Sequence, residues 1–264
     1  MQRRLDEVRE NFTEFVQQPD HAVLLVGCRD HDVAYALKTI EQLDGEDPSS
    51  LYICVAEDFA DARSYALLVA ERLEALYAGM NAALAERGEP QHPPFPPAMT
   101  AETTSPRDRI ILAIEHLGRR LPNHEAHRIV LALMPLEILA AGAYAAWVLE
   151  FTRGDELEPW MKYGRIVARD DAQGTTAGLA SDRHAQGVLS CELDFSTEAL
   201  AADLAQDAVD PSTPLVRRMQ ALLQLAMIDF SYKRHAEAIG KYGVVFDFYG
   251  KSNQPVMQAM CLQG

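Results

Sequence analysis

The sequence predicts an α/β protein: a mostly parallel, five-stranded sheet with helices on both faces, followed by a tail of helices only. Three observations lead there. Five short apolar runs, at residues 22–26, 51–55, 128–133, 165–168 and 188–193, alternate with helical patterns. The runs are nearly continuous in apolar character, as expected of strands buried on both faces. After Asp210–Pro211 only helical periodicity remains.

The elements follow in order. Residues 1–20 form an amphipathic helix of their own, with Leu5, Val8, Phe12, Phe15 and Val16 at helical spacing and Pro19–Asp20 ending it. A sheet domain spans 21–210. Its first strand, 22–26, leads into a helix over 32–43, closed by a turn at Gly45, Asp47 and Pro48. The second strand, LYICV at 51–55, is rich in β-branched and aromatic residues. A long helix covers 60–85. Residues 88–106, GEPQHPPFPPAMTAETTSP, are expected to be an extended surface loop. Their prolines also suit a recognition peptide for an aromatic groove.

Ser105–Pro106 opens a helix over 107–120, with proline at its first position. RIVLAL at 128–133 is the third strand, and a helix over 136–151 follows. RIVA at 165–168 is the fourth strand. The Gly/Thr/Ser-rich stretch 173–181 is expected to be loop. VLSCEL at 188–193 is the fifth strand, and Ser196 caps a helix over 197–206. The tail, 211–264, holds helices over 214–232 and 235–249, and a third beginning near 254.

Composition narrows the function classes. The chain has 264 residues, 48 % hydrophobic, with a net charge of −15 and pI near 4.9. No apolar run approaches the roughly 20 residues of a membrane span. The longest, 129–151, is broken by Pro135, Glu137 and Gly142. The N-terminus, MQRRLDEVRENF, lacks the apolar stretch of a secretory signal. No Lys/Arg cluster is present to release counterions, so nucleic acid is not an expected partner, and with no apolar run of spanning length neither is a membrane. The acidity reads as solubility in a cytoplasm. Four scattered cysteines, Cys28, Cys54, Cys191 and Cys261, with no C-x-x-C pair, suit reduced intracellular thiols.

The motif that bears most on function is HAVLLVG at 21–27, an apolar run ending on glycine just before a helix. A phosphate-binding loop has this context and the spacing G-x-x-x-x-G-K-[ST]. Counted from Gly27, the second glycine, the lysine and the hydroxyl fall on Asp32, Val33 and Ala34. The sheet region, about 20–210, resembles a degenerate P-loop NTPase core of the kind found in signalling ATPases with helical-repeat tails. That resemblance implies a strand carrying a magnesium-organising acid after its apolar run. Here Met134 and Pro135 follow 128–133, and Glu137 lies further on, at the expected first turn of a helix. Around the loop, Gly27, Arg29 and Lys38 are the candidate residues for holding an anion at the helix N-terminus. Asp30 and Asp32 would weaken such binding. No cofactor is expected.

The tail resembles a tetratricopeptide repeat. Leu222, Leu225 and Ala226 match its first helix, and Ala238, Tyr242 and Val245 its second. The resemblance implies protein binding, with Leu222, Tyr242 and Phe246 as candidate partner-facing residues. A single repeat cannot bury its own face, so either further repeats follow or the hairpin docks on the sheet domain. Other constellations are poorer. His124 and His127 in NHEAH lack further metal ligands, and Ser190–Cys191 and Ser181–His184 lack a nucleophile-elbow context. The expected role is therefore a non-catalytic adaptor or scaffold. The alternatives are a signalling ATPase-like protein that binds nucleotide with little turnover, and an enzyme of unrelated α/β type.

Overall fold

A computed structural model describes residues 2–123, 126–152 and 157–263. The chain divides into two compact units, Gln2–Asp194 and Phe195–Gly264. The helical unit thus begins before the expected boundary at 211, because the helix at 197–209 packs with the tail helices.

The first unit holds five parallel strands, β1 (Val23–Cys28), β2 (Ser50–Val55), β3 (Arg128–Leu133), β4 (Gly164–Asp170) and β5 (Val188–Leu193). Their spatial order is β2-β3-β4-β1-β5. Helix α1 (Gln2–Gln17) and helix α2 (Val33–Glu46) cover one face. Val8, Phe12, Phe15 and Val16 of α1 are buried there, as the helical spacing predicts, while the side chain of Leu5 lies outside the described residues. Helices α3 (Ala62–Glu86), α4 (Pro106–Gly118), α5 (Ala141–Val148) and α6 (Thr175–Asp182) belong to the other face. Its core is aromatic: Phe59 meets Tyr144 edge-on at 4.8 Å and stacks on Trp147 at 5.9 Å. Such pairs add about 0.5–1.5 kcal/mol each beyond their buried area. They tie the segment after β2 to α5.

Local chemistry sets the helix starts. Asp61 accepts the Ser64 amide at 2.9 Å to cap α3, and Ser105 accepts the Asp108 amide at 3.1 Å to cap α4. Three elements differ from expectation. Residues 134–140 do not join a helix; their backbone is taken by the segment after β2. Phe59 N–H bonds the Glu137 carbonyl at 2.9 Å, Leu139 N–H bonds Phe59 O at 2.9 Å, and Phe59 bridges Ile138. Glu137 is therefore an exposed loop residue rather than part of a first helical turn. Part of the expected loop 173–181 is helix α6, because Asp170 and Asp171 bond its first amides. β4 runs on past Ala168 through Arg169 and Asp170, both buried.

The proline-rich segment is docked, not free. Phe95 and Met99 are buried in the aromatic core. Tyr77 Oη donates to Pro93 O at 2.9 Å, and the Asn81 amide makes two bonds to the His92 backbone. Arg63 and Arg109 donate to the carbonyls of Glu102 and Ala101.

The second unit holds helices as its described secondary structure: α7 (Thr197–Val209), α8 (Leu215–Ser231), α9 (His235–Lys251) and α10 (Pro255–Gln263). Each packs on the next. Ala226 and Ala238 are buried at the α8–α9 contact with Leu223, Tyr242 and Val245. Ala208 of α7 packs against Ala221 and Leu225 of α8. Asp229, buried near the end of α8, takes ion pairs from Arg234 at 2.7 Å and from Lys241 of α9. No described helix is long and apolar enough to cross a membrane.

Candidate functional site

The carboxyl end of β1 lies between β4 and β5, so three strand ends converge beside one loop. In a doubly wound sheet this is where ligands enter. Gly27 is inside β1, not in a turn after it, and pairs with Asp170 on one side and Glu192 on the other. The Glu192 side chain lies across the glycine: a Cβ there would stand 2.6 Å from Glu192 Oε2, so the carboxylate would have to swing aside for any larger residue. Partial desolvation, with the charges of Asp170 and Asp194, raises the carboxyl of Glu192, itself an exposed residue, above its ordinary value.

Arg29 follows β1 in extended conformation, and a 3₁₀ turn over Asp30–Asp32 leads directly into α2. Asp32 is 1 % exposed, and both its carboxylate oxygens lack a hydrogen bond among the described residues. His31 Nε2 lies 3.7 Å from it. The carboxylate that stands at the second-glycine position is thus folded inward at the start of the helix.

Arg169 occupies the centre of this end of the sheet. It is 1 % exposed. Its Nη1 donates to Pro135 O at 2.8 Å and Leu136 O at 2.7 Å, and its Nη2 reaches Cys28 O at 3.5 Å and the Asp30 carboxylate. One guanidinium thereby ties the end of β1, the loop after β3 and the 3₁₀ turn. Asp170 beside it accepts the amides of Thr176 and Ala177, both at 2.8 Å. Asp171 accepts those of Gln173 and Thr175, both at 3.0 Å. Where a helix N-terminus could receive a phosphate, α6 already receives the protein's own carboxylates.

Of the candidate residues, Gly27 and Arg29 are at this end of the sheet. Arg29 is exposed and lies 3.9 Å from the Asp194 carboxylate. Lys38 sits on the exposed side of α2, more than a turn past its start, and its ammonium makes no ion pair among the described residues. Val33, in the lysine position, is fully buried. The sequence reading missed Arg169, Asp170 and Glu192. The one signal of Arg169 and Asp170 is the charged run RDD directly after the apolar RIVA, which reads as the end of a strand, and that of Glu192 is a lone acid inside the strand VLSCEL. Burial pushes the Cys28 thiol up to about 11 and the neighbouring Cys191 thiol up to about 12, so both stay protonated at neutral pH. All four cysteines are free. His127 Nδ1 contacts Asn123 O, and His124 lies outside the described residues. No group of three metal-ligating side chains occurs among the described residues.

In the helical unit, Tyr242 lines an apolar cavity of about 330 Å³ with Leu223, Met227, Phe230 and Met260. Leu222 and Phe246 do not join it. They pack between helices, Leu222 against both the α7–α8 and the α8–α9 contacts. Comparison with known protein families finds no matching family model, and comparison with curated proteins finds no matching sequence.

Proposed function

We propose that this chain is a non-catalytic adaptor, a P-loop-like α/β unit whose ligand end is closed by its own side chains, coupled to a helical unit that binds another protein. The observation that carries the reading is Arg169. It is the one buried cation at the end of β1, and backbone carbonyls and Asp30 engage it. Asp32, Asp170 and Glu192 surround Gly27 with negative charge, which repels a polyphosphate. The strand order supports the runner-up, nucleotide held without turnover, because β1 ends at the crevice of the sheet.

Thermal melting with ATP and magnesium separates the two. The adaptor reading expects an unchanged melting temperature. Bound nucleotide at a hundredfold excess over Kd would add about 2.7 kcal/mol of stability, and a saturable rise of that kind overturns it. For the helical unit, the cavity with Met227 and Phe230 at its mouth supports protein binding. A tagged chain should keep its co-purifying partners with Arg29→Ala and lose them with Met227→Glu.

A further inference from the structure

We infer that the open edge of the sheet carries a second docking site, for a basic amphipathic helix of another protein. The site is an apolar groove of about 540 Å³ in the first unit. Its floor is β2, the edge strand, which pairs only with β3. Leu37 and Ile40 of α2 form one wall, and Leu73, Leu76 and Met80 of α3 form the other. Leu51, Leu76 and Met80 remain 44 %, 56 % and 40 % exposed. Apolar exposure on this scale, bordered by charged residues, marks an interaction surface.

The occupant follows from the backbone and the rim. The carbonyls of Ser49 and Val55 bond toward β3, so Tyr52 and Cys54 turn their backbone groups outward. An added strand would need the Tyr52 N–H, but Asp44 Oδ1 already accepts it at 3.1 Å. That favours a helix lying in the groove over strand addition. The lined length of α3, from Arg72 to Met80, is about 12 Å at 1.5 Å per residue. It matches anchors at i, i+3 or i+4, and i+7. Charge complementarity sets the sign. Glu41 and Asp44 stand on the α2 wall without ion pairs among the described residues, whereas Arg72 opposite them is neutralised by Glu57 at 2.8 Å. The rim is therefore net acidic, and the partner helix carries Lys or Arg beside its apolar anchors.

The test uses the full chain and a displayed library of random helix-forming peptides. Selected peptides should show apolar residues at helical spacing with an excess of Lys and Arg, and should become helical on binding. Fluorescence anisotropy should show affinity falling on the order of tenfold or more for Leu76→Glu, as for loss of an interface anchor. Met80→Glu should act alike, and Glu41→Lys should weaken binding without altering the melt. Ile239→Glu, on an exposed face of the helical unit, should leave the affinity for these peptides unchanged. Leu76 and Met80 are exposed, so their variants should fold as the parent does. Selected peptides that ignore both α3 variants, that bind as extended strands, or that show no basic excess overturn the inference. So does a groove that takes the neutral dye Nile red but no peptide.

Discussion

The Glu192 carboxylate rests against Gly27, close enough that a Cβ on the glycine would stand 2.6 Å from Oε2. The obstacle is the far end of a flexible side chain, so it can move. Gly27→Ala should therefore cost only about 1 kcal/mol, and Glu192→Ala in the same chain should remove much of that cost as a coupling energy. Gly118→Ala is the contrast, because there the obstacle is the base of the Tyr163 side chain. It should destabilise more, with no such rescue from Glu192→Ala. Chemical denaturation of the three single and two double variants measures both. An equal cost at the two glycines would refute the distinction.

Glu192 also gives a pH dependence with a definite sign. Its carboxyl is raised above the ordinary 4.5 in the folded chain. Above that value the folded state holds more proton than the unfolded state, so stability falls as pH rises through the window. Glu192→Gln removes the fall. Glu192 is exposed and water screens its surroundings, so the variant should melt only slightly above the parent at pH 7, and the difference should close as pH falls below about 4, where both states become protonated. A difference that widens on acidification would show that the carboxylate is stabilised rather than strained by its surroundings.

Arg169→Met should be among the most destabilising changes at this end of the sheet. It leaves the buried Pro135 carbonyl without its donor, at about 1–3 kcal/mol for a buried group left unsatisfied, while the Leu136 carbonyl, on an exposed residue, can turn to water. Asp30→Ala should cost less than about 1 kcal/mol, because Asp30 is 75 % exposed and its pairing is screened by water. Equilibrium unfolding of both variants checks the order.

Ala238→Leu should overpack the contact between α8 and α9, where Ala238 and Ala226 are both buried. The expected loss is about 1–3 kcal/mol. Ile239→Ala next to it should be nearly neutral, because Ile239 faces solvent. If Ala238→Leu melts like the parent, the helices are not in close contact there.

Much of the fold was legible because its signals are local. β3 and β5 are short, mostly apolar runs entered from polar segments, and both begin and end where the sequence predicts. Ser105 and Ser196 announce their helices as caps. The end of β4 was not legible. Arg169 and Asp170 look like a strand terminus and are buried only because carbonyls after β3 and amides of α6 meet them in space. α6 was hidden by its Gly, Thr and Ser content, which reads as loop until Asp170 and Asp171 take its first amides. The start of α5 was misplaced because Phe59, far off in sequence, holds the backbone of residues 137–139. At the candidate site, the unsuitable residues at 32–34 were readable directly. The guanidinium that fills the space was not, since it comes from a strand more than a hundred residues away.

The docked proline-rich segment bears on how the chain meets proteases. Residues 88–106 have the composition of a cleavable linker, and nicking concentrates at exposed, unbonded loop tips. Here Tyr77 and Asn81 hold the backbone at Pro93 and His92, while Phe95 and Met99 are sunk in the core. A protease would have to wait for the segment to lift away from α3 and α4. Its rate of cutting would then report how often that corner of the core opens.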